Sequence, residues 1–242
     1  MNGAVLLAAW ERAASEPPLR RALTLLATVS PDRAAEDWAR ASIGERDQAL
    51  LGIREEIFGA KLEAVADCPA CGQQLDVSFG TRDLLPDSPV PRERDEGLRV
   101  RAGEWDVIYR LPTTADLLEI AGADPAEARK TVLARCLGTV RRGDVIVDTG
   151  SLPDAVTDAV VEDMARTDPR SETEVALECP ACSHAWSMPF DVLTYLWSEI
   201  DDWARRFLVD IHVLASTYGC CERDIVALHP VRRRLYLEML RA

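Results

Sequence analysis

One tetrapeptide occurs twice in this chain, as Cys68-Pro69-Ala70-Cys71 and as Cys179-Pro180-Ala181-Cys182. Two Cys-x-x-Cys knuckles supply the four thiolates of one closed tetrahedral Zn²⁺ site. The two residues inside each knuckle let a tight turn aim both sulfurs at one point, and Pro69 and Pro180 stiffen that turn by fixing φ. The copies extend past the cysteines: Leu75, Val77 and Phe79 follow Cys71 at +4, +6 and +8, and Trp186, Met188 and Phe190 follow Cys182 at the same offsets. Alternation of this kind predicts a strand after each knuckle, as in the halves of a zinc ribbon. Gly72 follows the first knuckle, where φ > 0 is often needed. Ser183 stands there in the second, so the copies are read as inequivalent at that point.

The rival reading of Cys-Pro-x-Cys is redox chemistry. A redox pair sits where a strand meets a helix N-terminus that lowers the thiol pKa, whereas polar residues and a strand pattern follow both pairs here. Structural zinc at Cys68, Cys71, Cys179 and Cys182 therefore ranks first, ahead of unmetallated thiols and of redox chemistry. The 107 residues between Cys71 and Cys179 are far more than a compact ribbon needs, which implies a domain inserted between its halves. His184 lies beside the second knuckle, but four cysteines already complete the site, and it is read as a polar turn residue.

The chain has 242 residues, 48% hydrophobic and 29% charged, a globular composition. No window has the apolar length of a membrane span, and the apolar start lacks the basic region of a signal peptide. Seven cysteines, an odd number with metal spacing, fit a reducing cytoplasm better than a secreted disulfide framework. Cys136 and the adjacent Cys220 and Cys221 are read as free thiols. With 28 basic against 41 acidic residues the net charge is −13, which argues against generic nucleic-acid binding.

Segments follow from local pattern. Residues 1–60 read as helical, broken at Pro17-Pro18 and Ser30-Pro31, with a helix from Ile43 to Phe58 capped by Gly59. Residues 61–85 and 172–192 are the halves of the ribbon, and 86–171 an inserted small α+β unit. In the insert, 86–96 reads as a linker and 98–111 as a hairpin turning at Ala102-Gly103. Thr113 or Thr114 caps a short helix, and Asp124-Pro125 opens another that includes Leu137. Pro153 opens a third. Asp144, Asp148, Asp154 and Asp158 match no calcium loop and read as solvated surface. Residues 193–242 form a helical tail, with helical spacing from Leu193 to Tyr218, a stop at Gly219 and a last helix from Pro230. The fold class is thus α+β, predominantly α-helical. The tail outlines a helix-turn-helix whose Arg232-Arg233-Arg234 could meet phosphates, though the acidic chain argues otherwise. His212 reads as a core or rim histidine. Neither a nucleophile elbow, a phosphate loop nor a dinucleotide fingerprint is present, so no enzyme is expected.

Several stretches together carry a family likeness: Ile43-Gly44-Glu45-Arg46-Asp47 with Leu50-Leu51, the run to Phe58-Gly59, both knuckles, Arg110-Leu111-Pro112-Thr113-Thr114-Ala115-Asp116-Leu117-Leu118, and the tail with Tyr218-Gly219, Asp224-Ile225, Leu228 and Arg232-Arg233-Arg234-Leu235-Tyr236-Leu237. This set resembles the T4-type phage baseplate hub assembly chaperone family, in the form found with contractile injection systems (phage tail-like particles), over most of the chain. The resemblance implies a non-enzymatic baseplate component or assembly factor that contacts other baseplate or hub proteins. Only the four cysteines carry over with a job, as ligands of structural zinc. From their aromatic content, the helix around Trp197 and Trp203 and the tail around Tyr236 are candidate partner contacts. Two other classes compete: a zinc-ribbon nucleic-acid adaptor, which predicts salt-dependent binding, and, ranked last, a thiol oxidoreductase.

Overall fold

Side-chain caps from Ser42, Thr113, Asp124 and His229 start four of the helices in the computed structural model, which describes residues 3–84 and 97–240. The linker expected at 86–96 lies outside the described residues. In chain order the elements are α1 (Gly3–Ala13), α2 (Pro18–Val29), α3 (Ala35–Arg40), α4 (Ile43–Phe58), β1 (Lys61–Asp67), β2 (Gln74–Gly80), β3 (Leu98–Ala102), β4 (Trp105–Tyr109), α5 (Thr114–Glu119), α6 (Pro125–Cys136), β5 (Leu137–Arg142), β6 (Val145–Val147), α7 (Asp154–Thr167), β7 (Glu174–Glu178), β8 (Ala185–Pro189), α8 (Val192–Tyr218), α9 (Glu222–Val226) and α10 (Pro230–Met239). The fold is mixed α+β with helix predominant, as the patterning predicts. Four short elements went unanticipated: α3, only six residues long, and the strands β1, β5 and β6.

The chain divides into two units, Met1–Asp32 with Leu193–Ala242, and Arg33–Val192. The helical segment 1–60 is therefore shared between them. In the first unit α8, about 40 Å long at 1.5 Å per residue, buries Ala204, Phe207, Ile211 and Leu214 together with Leu7 of α1 and Ile225 of α9. Trp10 Nε1 donates to Asp201 at 2.8 Å, and the Arg21 guanidinium lies 4.6 Å over the Trp197 ring.

The second unit holds three antiparallel sheets: β1-β2, β3-β4-β5-β6 and β7-β8. The four-stranded meander packs Val107, Tyr109 and Val140 on Cys136 of α6 and on Val156, Val160 and Met164 of α7. Tyr109 donates its hydroxyl to Asp163 of α7. Its turns correct two expectations. The first turn is Gly103-Glu104, since Ala102 pairs with Trp105 and Gly103 takes φ 61°. Leu137, expected inside a helix, begins β5 because the backbone turns extended there (φ −71°, ψ 129°). A second hairpin, turning at Gly143 (φ 60°), joins β5 to β6. Left-handed glycines at the first turn position match the twist of two-residue hairpins.

What joins α4 to the meander is the stretch Arg110–Asp116. Thr113 Oγ1 accepts from Asp116 N–H at 3.3 Å while Asp116 accepts from Thr113 N–H at 3.0 Å, a reciprocal cap on α5. The buried Asp116 carboxylate also takes Arg110 at 2.6 and 2.8 Å and Arg135 of α6 at 2.8 Å. Burial alone would raise its pKa, but the bonds from Arg110, Arg135 and Thr113 outweigh burial and hold it well below the usual carboxylate range. The same stretch grips α4: Ile43 N–H donates to Pro112 O at 3.2 Å, and Ser42 bridges to Thr113. From the other side, Asp168, just past α7, accepts from Gly44 N–H at 3.0 Å.

That last contact explains the glycine. A Cβ on Gly44 would lie 1.9 Å from Asp168 Oδ1. Helix propensity alone makes Gly→Ala favourable by about 0.5–1 kcal/mol, but here the clash reverses the sign. Gly44→Ala is expected to destabilise by roughly 1–3 kcal/mol, seen as a lower urea midpoint. Asp116→Asn leaves two arginines without their buried partner and should cost roughly 2–4 kcal/mol, moderated because both arginines reach solvent. The folded pKa of Asp116 lies below the unfolded value of about 3.9. Its contribution is therefore complete above about pH 4 and is lost as pH falls through the folded pKa. Thermal melts from pH 7 to pH 3 should accordingly fall less steeply for Asp116→Asn than for the wild type.

Candidate metal centre

Each knuckle is the turn of a hairpin. In β1-β2 the register pairs Leu62 with Phe79, Ala64 with Val77 and Ala66 with Leu75; in β7-β8 it pairs Val175 with Met188 and Leu177 with Trp186. The two turns share one hydrogen-bond scheme. Cys68 N–H donates to Gln73 O and Cys179 N–H to His184 O, both at 2.9 Å; Gly72 N–H donates to Cys68 O and Ser183 N–H to Cys179 O, both at 2.8 Å. Every member of the second set stands 111 positions after its counterpart. The expected inequivalence at Gly72 and Ser183 is corrected: both take the left-handed conformation, φ 72° and φ 56°. Ser183 is the sole non-glycine with positive φ among the described residues. Left-handed backbone costs an L-residue roughly 1–2 kcal/mol, so the knuckle geometry, and not local preference, fixes it.

The hairpins face each other. Buried Cys68, Leu75 and Cys179 form one small core with Val77 and Trp186 against it, and Phe79 meets Phe190 edge to face at 5.4 Å. Phe79 and Phe190 are counterparts in the repeat, and such edge-on pairs add about 0.5–1.5 kcal/mol beyond area burial. The strands after the knuckles thus bring their apolar faces together and carry the knuckles with them.

The four sulfurs of Cys68, Cys71, Cys179 and Cys182 all lie within 4.8 Å of one another. Cys68 Sγ is 3.7 Å from Cys182 Sγ, and Cys71 Sγ is 3.6 Å from Cys179 Sγ. The close pairs cross between knuckles, first cysteine to second, as a two-fold relation between the hairpins requires. A tetrahedron with metal–sulfur bonds of about 2.3 Å has edges of about 3.8 Å. These two edges match a four-coordinate ion, zinc included, and the remaining sulfur separations stay within 4.8 Å. Cys68 and Cys179 are buried while Cys71 and Cys182 are exposed, so the cluster has a solvent side.

The thiols are electrostatically unequal. Burial works against a thiolate at Cys179, but the N–H groups of Ala181 and Cys182 and the thiols of Cys71 and Cys182 outweigh it and bring its pKa down to about 7. At Cys182 the His184 N–H also favours the thiolate. Hydrogen bonding with Cys71, Cys179 and Cys68, together with burial, prevails and pushes the pKa up to about 12. Neighbouring thiols thus support one thiolate by keeping their own protons. Four thiolates at this spacing need a cation among them.

Other candidates fall away from this site. Exposed His184 stacks on Trp186, centroids 5.9 Å apart, and takes no place among the four sulfurs. His212, expected at a core or rim, is exposed on α8 because its neighbours Ile211 and Leu214 take the buried face. His229 caps α10, its Nδ1 accepting from Val231 N–H. Burial pushes the Cys136 thiol up to about 11, the reverse of an activated cysteine. Neither knuckle opens a helix, which removes the geometry a redox pair uses. The arginine triplet is split: Arg233 turns inward onto the Phe207 ring at 4.1 Å and toward Asp210 at 3.8 Å, so it makes no continuous basic stripe. Trp197 and Trp203, offered as partner contacts, are engaged within the chain by Arg21 and Phe207.

Two hairpins, each ending in a two-cysteine knuckle and closed face to face, define a split ribbon with a four-cysteine cluster. The chain that carries it belongs to the T4 bacteriophage base plate protein family, whose model matches residues 22–194. That span includes both knuckles, the Arg110–Asp116 stretch and Asp168. Searches of curated proteins and of solved structures each return no match. No helix among the described residues is long and apolar enough to cross a membrane.

Thiolate ligation fixes how the site should respond to pH. Metal displaces thiol protons, so Co²⁺ titrated into metal-free protein should bind one ion per chain with a tetrahedral thiolate spectrum. Protons should be released on binding, and apparent affinity should fall as pH drops. Absorbance titrations at two pH values check this; affinity indifferent to pH would exclude thiolate ligands.

Proposed function

We propose that this chain is a non-enzymatic baseplate component or assembly factor of a contractile, phage tail-like injection system, acting through contacts with other baseplate or hub proteins. Membership of the base plate family over residues 22–194 carries the reading. In it, Cys68, Cys71, Cys179 and Cys182 hold one structural zinc ion with no open coordination position, so the metal organises the chain and does no chemistry. The ribbon halves 61–85 and 172–192 clasp the insert 86–171, and the helical regions 1–60 and 193–242 carry further contact surface. The reading places assembly in the cytoplasm, where a reducing environment keeps cysteine ligands available for metal. The nucleic-acid adaptor is the weaker alternative, given a net charge of −13 and an inward-turned Arg233.

Elemental analysis of purified protein should find one zinc per chain, and Cys179→Ala/Cys182→Ala should lose it together with cooperative unfolding of the ribbon. The role itself is tested in producing cells. Deletion of the chain should abolish assembled tail-like particles in electron micrographs. Mass spectrometry of wild-type particles then separates a retained component from a factor that leaves. Normal particles in the deletion strain would overturn the proposal.

A further inference from the structure

α10 has two different faces. Arg233, Leu237 and Leu240 turn inward, the leucines packing into the core of α8 and α9 and Arg233 stacking on Phe207. Opposite them, Val231, Leu235 and Met239 recur at i, i+4 and i+8, which places them in one stripe along the helix. They are 61%, 49% and 65% exposed. Tyr236, 38% exposed, borders this stripe and packs at a tilt against Tyr218, 47% exposed, with centroids 5.8 Å apart. Isolated exposed apolar residues are ordinary, but a contiguous stripe bounded by charge marks an interaction surface. α10 has no fully buried residue, and the exposed Arg232 lies beside Met239 at the edge of the stripe.

We propose that this stripe joins two copies of the chain, their α10 helices packed antiparallel about a two-fold axis beside Leu235. The stripe is self-complementary. Leu235 meets Leu235 of the second copy, and Val231 meets Met239 in each direction, pairing the smallest side chain with the longest. An isologous contact needs this property of one patch on both partners. Charge agrees: Arg234 and Glu238 lie along the same flank of the stripe, and an antiparallel two-fold brings Arg234 of each copy beside Glu238 of the other. Tyr236 extends the contact on the opposite flank. A second copy satisfies both the apolar and the charged parts of the surface without invoking a protein of unstated sequence.

A contact made by four side chains per copy is smaller than the roughly 800 Å² per partner of a stable complex. Association should therefore be reversible and concentration-dependent. The inference does not depend on the baseplate reading and is tested on the purified, zinc-loaded chain alone. Sedimentation velocity across roughly 1–200 μM, a range suited to a contact of this size, should show monomer passing to dimer. Leu235→Asp, at an exposed site, should keep the wild-type circular dichroism and thermal melt and stay monomeric. Arg234→Glu and Glu238→Arg should each weaken the dimer at least several-fold, and the double exchange should restore it. A monomer at every concentration would overturn the proposal and leave the stripe to a different protein. A dimer untouched by Leu235→Asp, or charge reversals without mutual rescue, would overturn it equally by placing the contact elsewhere.

Discussion

The second unit depends on one closure: sulfurs 108 and 114 positions apart in sequence brought to 3.6 and 3.7 Å. Closing so long a loop costs entropy that grows only slowly with length. The facing hairpins offset part of that cost through the small core they share. Everything between Cys71 and Cys179 is thereby a loop with both ends fixed. The insert can carry its own core of Val107, Tyr109, Val140 and Val160 and still emerge where the second knuckle must begin. The pairing of Phe79 with Phe190 follows the same two-fold relation as the cysteines, so the aromatic packing and the sulfur cluster agree on one arrangement of the hairpins.

A second junction works by hydrogen bonding and charge. The start of α4 is held by Pro112 on one side and by Asp168 on the other, and Pro112 is held in turn through Thr113 and the Asp116 carboxylate with its two arginines. Removing one partner from such a group leaves a buried charge unsatisfied, which is why buried ion networks are costly to break even where their net contribution is modest. The stretch Arg110–Asp116 carries no chemistry of its own. Its residues are those needed to end β4, cap α5 and dock α4 within seven positions.

Sequence reveals what is local. The knuckles, the strands after them, α4 with its Gly59 stop, the Asp124-Pro125 start of α6 and the long α8 each announce themselves by spacing or caps within a few residues. β1 does not, because the inner face of Lys61–Asp67 carries only Leu62 and two alanines while Val65 stands on the exposed face, which leaves little hydrophobic contrast. β5 and β6 are hidden by Arg141, Arg142 and Asp144 around their turn. The need for glycine at Gly44 comes from Asp168, 124 positions away, and no periodicity reports it. Ser183 misled for a related reason: a residue type that rarely adopts positive φ does so when the knuckle demands it. Likewise the three consecutive arginines look like one patch until the helix turns Arg233 away from its neighbours.

The first unit has a consequence for how the chain is made. Its helices come from two segments, Met1–Asp32 and Leu193–Ala242, with about 160 residues between them. During synthesis at roughly 5–20 residues per second, the apolar faces of α1 and α2 emerge some ten to thirty seconds before α8 exists to cover them. Leu6, Leu7, Leu25 and Leu26, all buried in the finished fold, are bare for that interval. The nascent chain is thus most prone to aggregate at its first helices. Ribosome-associated chaperones that hold short apolar segments are what this topology asks of the cell.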